Sequence, residues 1–486
     1  MRLLFLFKNK YSALSISKKS IIWFTLATII QNGILFLVTP IYTRMLTGNE
    51  YGIYSVYQSW QQIISIISIL ALDRSITVGF IKFEKNRTEF LSAIQTLMTV
   101  LILAFSIIVY IFSDFFVKII NLPIYIIILM FFVSLMNSSL ANWSWFQRYT
   151  YSYKKLTIVT IFSTIIMQLV SIFCIYYVSF DNKGILLIIA LSSTRLIMYG
   201  IIYISVFIKG KKVFKKEYWT FSLKYSIAIV PHALAQIILN SSDRIMIDKI
   251  CGRSDAAYYG VTYSAAMVLN TIATSISSAI QPWFFEKIKN RDYVSIKNVT
   301  NNLLLFSAML SILVSLFAPE ILSIMAPPDY KAALWVFPSI AASVYFNSMY
   351  LYFANFESYF EKPIYFSIAT STGAVVNIIL NLIFIQIFGF VAAGYTTLFC
   401  YILFAVMHYI FMRKVCKEFL DGIHIFDLKY IFILSILVIF ATLGIVLLYH
   451  KTILRYLLII FFIILFFIKK KFFLEQLKKI KSEKTI

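Results

Sequence analysis

The chain has 486 residues, 60% of them hydrophobic and 13% charged, with a mean hydropathy of +0.84 and a net charge of +23. Soluble globular domains carry about 25% charged residues, so a soluble fold is excluded. Four scattered cysteines, Cys174, Cys251, Cys400 and Cys416, lack metal-ligand spacing and read as isolated thiols.

Apolar runs of about 20 residues recur from end to end, each long enough to cross a bilayer. They are continuously apolar, whereas barrel strands alternate, so they read as helices. Fourteen spans are expected, near 20–40, 52–73, 90–113, 120–142, 156–178, 184–208, 222–243, 257–283, 299–326, 332–356, 364–388, 389–412, 428–449 and 453–470. Asn137 and Asn142 interrupt the fourth. Before the first span, the patch Leu3–Phe7 precedes Lys8, Lys10, Lys18 and Lys19. That order is wrong for a signal peptide, so the first span is expected to stay attached.

Loop charge gives the orientation. With the N-terminus inside, 33 Lys and Arg fall on inside segments and 9 outside, so both termini are expected in the cytoplasm. The same bias explains most of the basic balance, which reads as membrane orientation and not nucleic-acid binding. The loops are too short for a soluble domain, so function must reside in the helical bundle.

A repeat is visible. The second span opens with Tyr51-Gly52-Ile53 and leaves through Phe83-Glu84-Lys85-Asn86-Arg87; the eighth opens with Tyr259-Gly260-Val261 and leaves through Phe285-Glu286-Lys287 and Asn290-Arg291. The expected fold is an all-α polytopic membrane protein with two six-helix lobes related by a pseudo-two-fold along the membrane normal. The segments are a tail (1–19), an N-lobe (20–210), a C-lobe (211–415), spans thirteen and fourteen (416–470) and a basic cytoplasmic tail (471–486).

Polar residues form stripes on six spans. The seventh carries His232, Gln236, Asn240 and Asp243, and the eighth Asn270, Thr274, Ser277 and Gln281, all at helical spacing. The second carries Gln58, Gln62 and Ser65, the first Thr28, Asn32 and Thr39, the tenth Ser339, Ser343 and Asn347, and the eleventh Thr370, Asn377 and Asn381. Any one of these side chains is accounted for by interhelical hydrogen bonding; six stripes together suggest a wet cavity. Ionisable residues in spans are costly and mark function. They are Arg195, Lys224, His232, the pair Asp243-Arg244, Asp73-Arg74, Arg44 and Glu357. Snorkelling is the alternative for Arg44, Arg74 and Lys224, and a weaker one for Arg195, whose run extends well on both sides; mutual neutralisation is the alternative for Asp243-Arg244. Cations outnumber anions, which suits an anionic, phosphate-bearing substrate.

The stretch Pro231-His232-Ala233-Leu234-Ala235-Gln236-Ile237-Ile238-Leu239-Asn240-Ser241-Ser242-Asp243-Arg244 resembles the seventh span of the polysaccharide-biosynthesis flippases, the Wzx-type transporters of O-antigen, capsule and other envelope glycans. Tyr258-Tyr259-Gly260-Val261-Thr262-Tyr263-Ser264, Pro40–Thr47 and Glu50–Tyr54 are similar to other motifs of that family. The resemblance implies a place in the exporter superfamily shared with multidrug exporters and the lipid II flippase. It implies alternating access and an undecaprenyl-diphosphate-linked oligosaccharide as cargo, in a bacterial cytoplasmic membrane. A glycan polymerase and chain-length machinery are candidate partners, and no cofactor is expected. Arg195, Arg44 and Arg244 are the leading candidates for the diphosphate. Lys224, His232, Gln236, Asn240, Asp243, Asn270, Gln281 and Asn377 complete the candidate cavity. His232 and Asp243 are the candidates for a coupling proton. A multidrug or cation exporter remains an alternative, although it would favour mid-span carboxylates, which are scarce here. A membrane glycan polymerase would be expected to carry a sizeable catalytic loop, and none is visible. No phosphate-loop motif is present, so the chain has no visible means of using ATP.

Overall fold

A computed structural model describes residues 16–465. The described chain is helical throughout, 89% of it, with no strand. Its helices are α1 (Ile16–Met45), α2 (Gly48–Ile69), α3 (Ser75–Lys82), α4 (Arg87–Ile111), α5 (Ser113–Ile120), α6 (Ile124–Tyr149), α7 (Tyr153–Tyr177) and α8 (Lys183–Gly210). They continue with α9 (Lys216–Ile250), α10 (Arg253–Lys289), α11 (Tyr293–Leu316), α12 (Ala318–Met325), α13 (Phe337–Tyr359), α14 (Pro363–Phe388), α15 (Ala392–Phe419), α16 (Leu428–Gly444) and α17 (Thr452–Leu465).

Every expected span coincides with a helix, but not all are equally apolar. Eleven described helices are long and apolar enough to cross a membrane, or twelve with the bent pair α2–α3 taken as one span. The eighth, α10, has 37 residues, yet its polar stripe keeps it out of that set. The fourteenth, α17, is short over Thr452–Leu465, and the rest of its expected extent lies outside the described residues. The same holds for the apolar patch at Leu3–Phe7 and the basic C-terminal tail.

The helix starts follow from local sequence. Thr47 and Glu50 form a capping box, the Glu50 amide donating to the Thr47 hydroxyl and the Thr47 amide to Glu50 Oε2 at 2.9 Å. Asn182, Asp292 and Asp427 cap α8, α11 and α16 through their side-chain oxygens. Lys287, 2.9 Å from Asp292, holds that loop carboxyl below the usual carboxylate range. Glu50 also ties two helices together, since its Oε1 accepts from the Lys183 amide at 2.9 Å. The next residue is Gly184, where a Cβ would sit 2.2 Å from the Glu50 carbonyl oxygen. Only glycine admits that approach of backbones.

The chain folds as two compact units that divide within α9, residues 1–237 and 238–486. In the first, α6 and α8 pack together and receive α2 and α4, while α1 packs along α7. Its second span is broken. Leu70 and Ala71 both adopt left-handed φ, 51° and 53°, and α3 leaves at 70° to α2. Such residues cost about 1–2 kcal/mol each. Burial of Ile66 and Ala71 against Ala233 and its neighbours on α9 offsets this. An aromatic cluster of Phe80, Phe83, Phe90, Tyr149, Tyr218 and Phe221 then anchors α3.

In the second unit, α13 is the hub, buried along nearly its whole length and packed by α10, α11, α15 and α16. The added C-terminal helices belong to this unit. α16 lies on α11 and α13, and α17 is clamped by Arg455, which donates to Glu320 at 2.5 and 2.6 Å and to the Leu316 carbonyl.

Candidate functional site

The N-terminal unit holds an open polar cavity of about 460 Å³. Helix α2 supplies Tyr54, Gln58, Gln61, Gln62 and Ser65 to its wall. Gln31 comes from α1, Asn137 from α6, Thr164 and Gln168 from α7, and Arg195 and Tyr199 from α8. Steps of four and three along α2 put Gln58, Gln62 and Ser65 on one face, which is why this stripe lines the cavity.

Arg195 is the one charged residue in the lining. Its Nε is buried without a hydrogen-bond partner, and no carboxylate among the described residues pairs with it. Tyr54 and Tyr57 feel its charge. The Tyr54 hydroxyl accepts from Gln58 Nε2 at 2.7 Å, and Tyr42 donates to Gln168 at 2.6 Å, so the aromatic wall is held by amides of the same cavity. A guanidinium among amides and hydroxyls has a ready chemical use: it holds an anion and hydrogen-bonds a polyhydroxylated group.

The other candidates of this unit stand apart from the lining. Arg44 is exposed at the end of α1 and donates to the Pro40 carbonyl at 3.0 Å. Lys224 and Gln236 are exposed on α9, and His232 is half-buried there, within electrostatic reach of Arg74. Thr28 and Thr39 turn back onto their own helix, donating to the Phe24 and Leu35 carbonyls, so α1 presents Gln31 to the cavity.

In the C-terminal unit the polar residues close on one another. Asp243 is buried, and its carboxylate accepts from Tyr259 at 2.5 Å, Asn381 at 2.6 Å and Thr397 at 2.8 Å. One carboxylate thus joins α9, α10, α14 and α15. Asn377, fully buried, accepts from Ser242 at 3.1 Å and Asn381 at 3.2 Å, and Thr396 donates to Asn381. Asn240 accepts from Tyr401 at 3.2 Å. Asp243 and Arg244 do not neutralise each other: Arg244 lies over the Tyr263 ring at 5.1 Å. Asn270 accepts from Asn347 at 2.6 Å and Gln281 donates to Asn355 at 3.3 Å. The structure therefore joins Asp243 and Asn377 in one network through Asn381, and holds Asn240, Arg244, Asn270 and Gln281 in other contacts.

Sequence reasoning missed Gln31, Tyr54, Asn137 and Gln168 in the cavity, and Tyr259, Thr397 and His408 in the second unit. Tyr259 had a visible signal, since it opens the repeated Tyr-Gly motif. Thr397 carried none, whereas His408 had one, being an ionisable residue within a span.

The family described as polysaccharide biosynthesis protein matches residues 17–288, more than half of the chain. The chain belongs to the polysaccharide biosynthesis protein family. An uncharacterized membrane protein of Methanocaldococcus jannaschii is 22% identical over 436 residues, covering 82% of this chain and 84% of its own. Among solved structures, the lipid II flippase MurJ in an inward closed conformation is similar, with a TM-score of 0.64 and 15% identity, covering 93% of this chain and 99% of MurJ. An inward-facing multidrug resistance transporter of the MATE family and MOP superfamily gives 0.62 at 12% identity, covering 83% and 99%. At these identities the likeness is one of fold.

Proposed function

We propose that this protein is a flippase that moves polyprenyl-diphosphate-linked oligosaccharides from the cytoplasmic to the outer face of a bacterial cytoplasmic membrane by alternating access, for O-antigen, capsule or exopolysaccharide assembly. The observation that carries the reading is the cavity of the N-terminal unit, where Arg195 stands alone among amides and hydroxyls with no carboxylate in the lining. The arginine suits a phosphate, through paired charge-assisted hydrogen bonds. The amides and tyrosines suit sugar hydroxyls. The family membership and the MurJ-like fold support the same reading. The loop-charge bias supports cytoplasmic termini.

Asp243 is the coupling candidate in this scheme. An ionised carboxylate only accepts hydrogen bonds, and Asp243 accepts three. Adding a proton removes the charge that strengthens those bonds, which loosens the join between α9 and its neighbours.

A multidrug exporter shares the fold. A cavity whose single charge is positive repels cationic drugs, which favours the flippase. The test is deletion of the protein followed by sidedness analysis of lipid-linked oligosaccharide. Head groups should accumulate on the inner leaflet; head groups that still reach the outer face at the normal rate would refute the reading.

A further inference from the structure

The C-terminal unit holds a second buried ionisable centre, away from Asp243. Glu357 on α13 and His408 on α15 are 0% and 1% exposed, with His408 Nδ1 lying 2.9 Å from Glu357 Oε1 and 3.0 Å from Oε2. Aromatic rings close around the imidazole. Tyr350 of α13 stacks on it with centroids 5.1 Å apart, Phe366 of α14 meets it at 5.3 Å, and Phe404 and Phe411 of α15 meet it edge-on at 6.3 and 6.4 Å.

Tyr350 is thus the other titratable group facing the pair. From α10, Gln281 and Phe284 reach only the adjoining Asn355 and Phe356. Phe426, before α16, also rests on Phe356. Of the charges nearest in sequence, Glu361 is exposed just past the end of α13, Lys362 binds Glu418 at 2.6 Å, and Arg413 donates to the Gly422 and Ile423 carbonyls. Among the described residues, His408 is the ionisable group that bonds Glu357.

Packing alone does not account for this pair. Helices α13 and α15 already share the large apolar core of the unit. Apolar residues of similar volume would join them at least as well, because desolvation consumes much of the attraction of a buried ion pair. Ionisable groups inside a membrane protein characteristically mark proton or ion pathways.

We propose that Glu357 and His408 form a proton-binding site. At rest the two groups share one proton and are neutral together. The site takes a second proton from water at the Lys362 end of α13. That proton bonds to a Glu357 carboxylate oxygen, and the imidazolium keeps its own. The bond from Nδ1 to that oxygen is lost, and the site becomes +1. Recognition of the proton stands apart from the transport reading, because it is measured with no glycan present.

The probe is the proton itself. The purified full-length chain is taken from roughly pH 8 to pH 4, a range that spans histidine and carboxylate titration, and protons taken up are counted with an indicator dye. The comparison is a double variant, Glu357→Gln with His408→Asn, whose amides keep a hydrogen bond between α13 and α15 and carry no titrating proton. The double variant should take up about one proton fewer per chain. Equal uptake overturns the proposal. Should the double variant fail to fold, infrared difference spectra of the wild-type chain over the same pH range decide. A protonated-carboxyl band that grows on acidification and survives Asp243→Asn is expected, and its absence overturns the proposal.

Discussion

The two units carry polar stripes of similar length and use them in opposite ways. In the N-terminal unit, Gln58, Gln62 and Ser65 of α2 face a cavity beside Arg195. In the C-terminal unit, Asn377, Asn381 and Asp243 are consumed by each other and by Tyr259 and Thr397. The backbones differ too. Helix α2 stops after Ile69 and turns through left-handed Leu70 and Ala71, whereas its counterpart α10 runs unbroken for 37 residues past Pro282. A polar stripe is therefore not a cavity by itself. It lines one where the donors and acceptors of neighbouring helices do not close on each other, and becomes a structural knot where they do.

The contrast is open to attack by mutation. The largest effect belongs to the knot. Asp243→Ala leaves three buried donors without that acceptor and should cost about 3 kcal/mol or more, at about 1–3 kcal/mol per unsatisfied group. Denaturant unfolding in detergent checks this, and an unchanged midpoint would break the comparison. Next comes Gly184→Ala, which forces a methyl onto the Glu50 carbonyl. A loss of about 1–3 kcal/mol is expected, read as a lower melting temperature. Ala71→Gly should act the other way. Glycine accepts the left-handed φ of 53° without steric cost, and a gain of about 1 kcal/mol at most is expected; destabilisation would mean that the methyl group packs more usefully than its backbone is strained. The smallest stability effect belongs to the cavity. Arg195→Gln removes a charge that has no ion-pair partner, so stability should stay within about 0.5 kcal/mol. Surface glycan should nevertheless fall sharply. Normal output from that variant would remove Arg195 from the substrate path.

The fold was legible because a bilayer imposes simple rules on sequence. Runs of about 20 apolar residues mark helices whatever their packing, and each expected span has its helix. Where the runs are polar, length alone misleads: α10 is a full-length helix that composition would not select as a span. The break at Leu70 was not legible, since neither Leu70 nor Ala71 is a residue that favours positive φ, and burial against α9 imposes it. The site was legible in part. Arg195 stood out because its apolar run extends well on both sides, which weakens snorkelling as the explanation. Asp243 stood out as an ionisable residue in a span, but its partners Tyr259 and Thr397 lie on other helices, and periodicity along one helix cannot report contacts across several. The seventh-span stripe shows the same limit, because His232 and Gln236 belong to one unit and Asn240 and Asp243 to the other.

The clamp at Arg455 bears on how the chain is made. Arg455 is 3% exposed, and the acid that neutralises it, Glu320, lies 135 residues earlier. An arginine entering lipid alone is costly, so the last hairpin gains a low-energy position only after α12 has been synthesised and placed. Chain order satisfies this requirement, because α12 emerges from the ribosome before α17. A circularly permuted chain that began with α16 and α17 would insert the arginine before its acid existed. Such a chain should stall during biogenesis even though every contact of the finished protein were available to it.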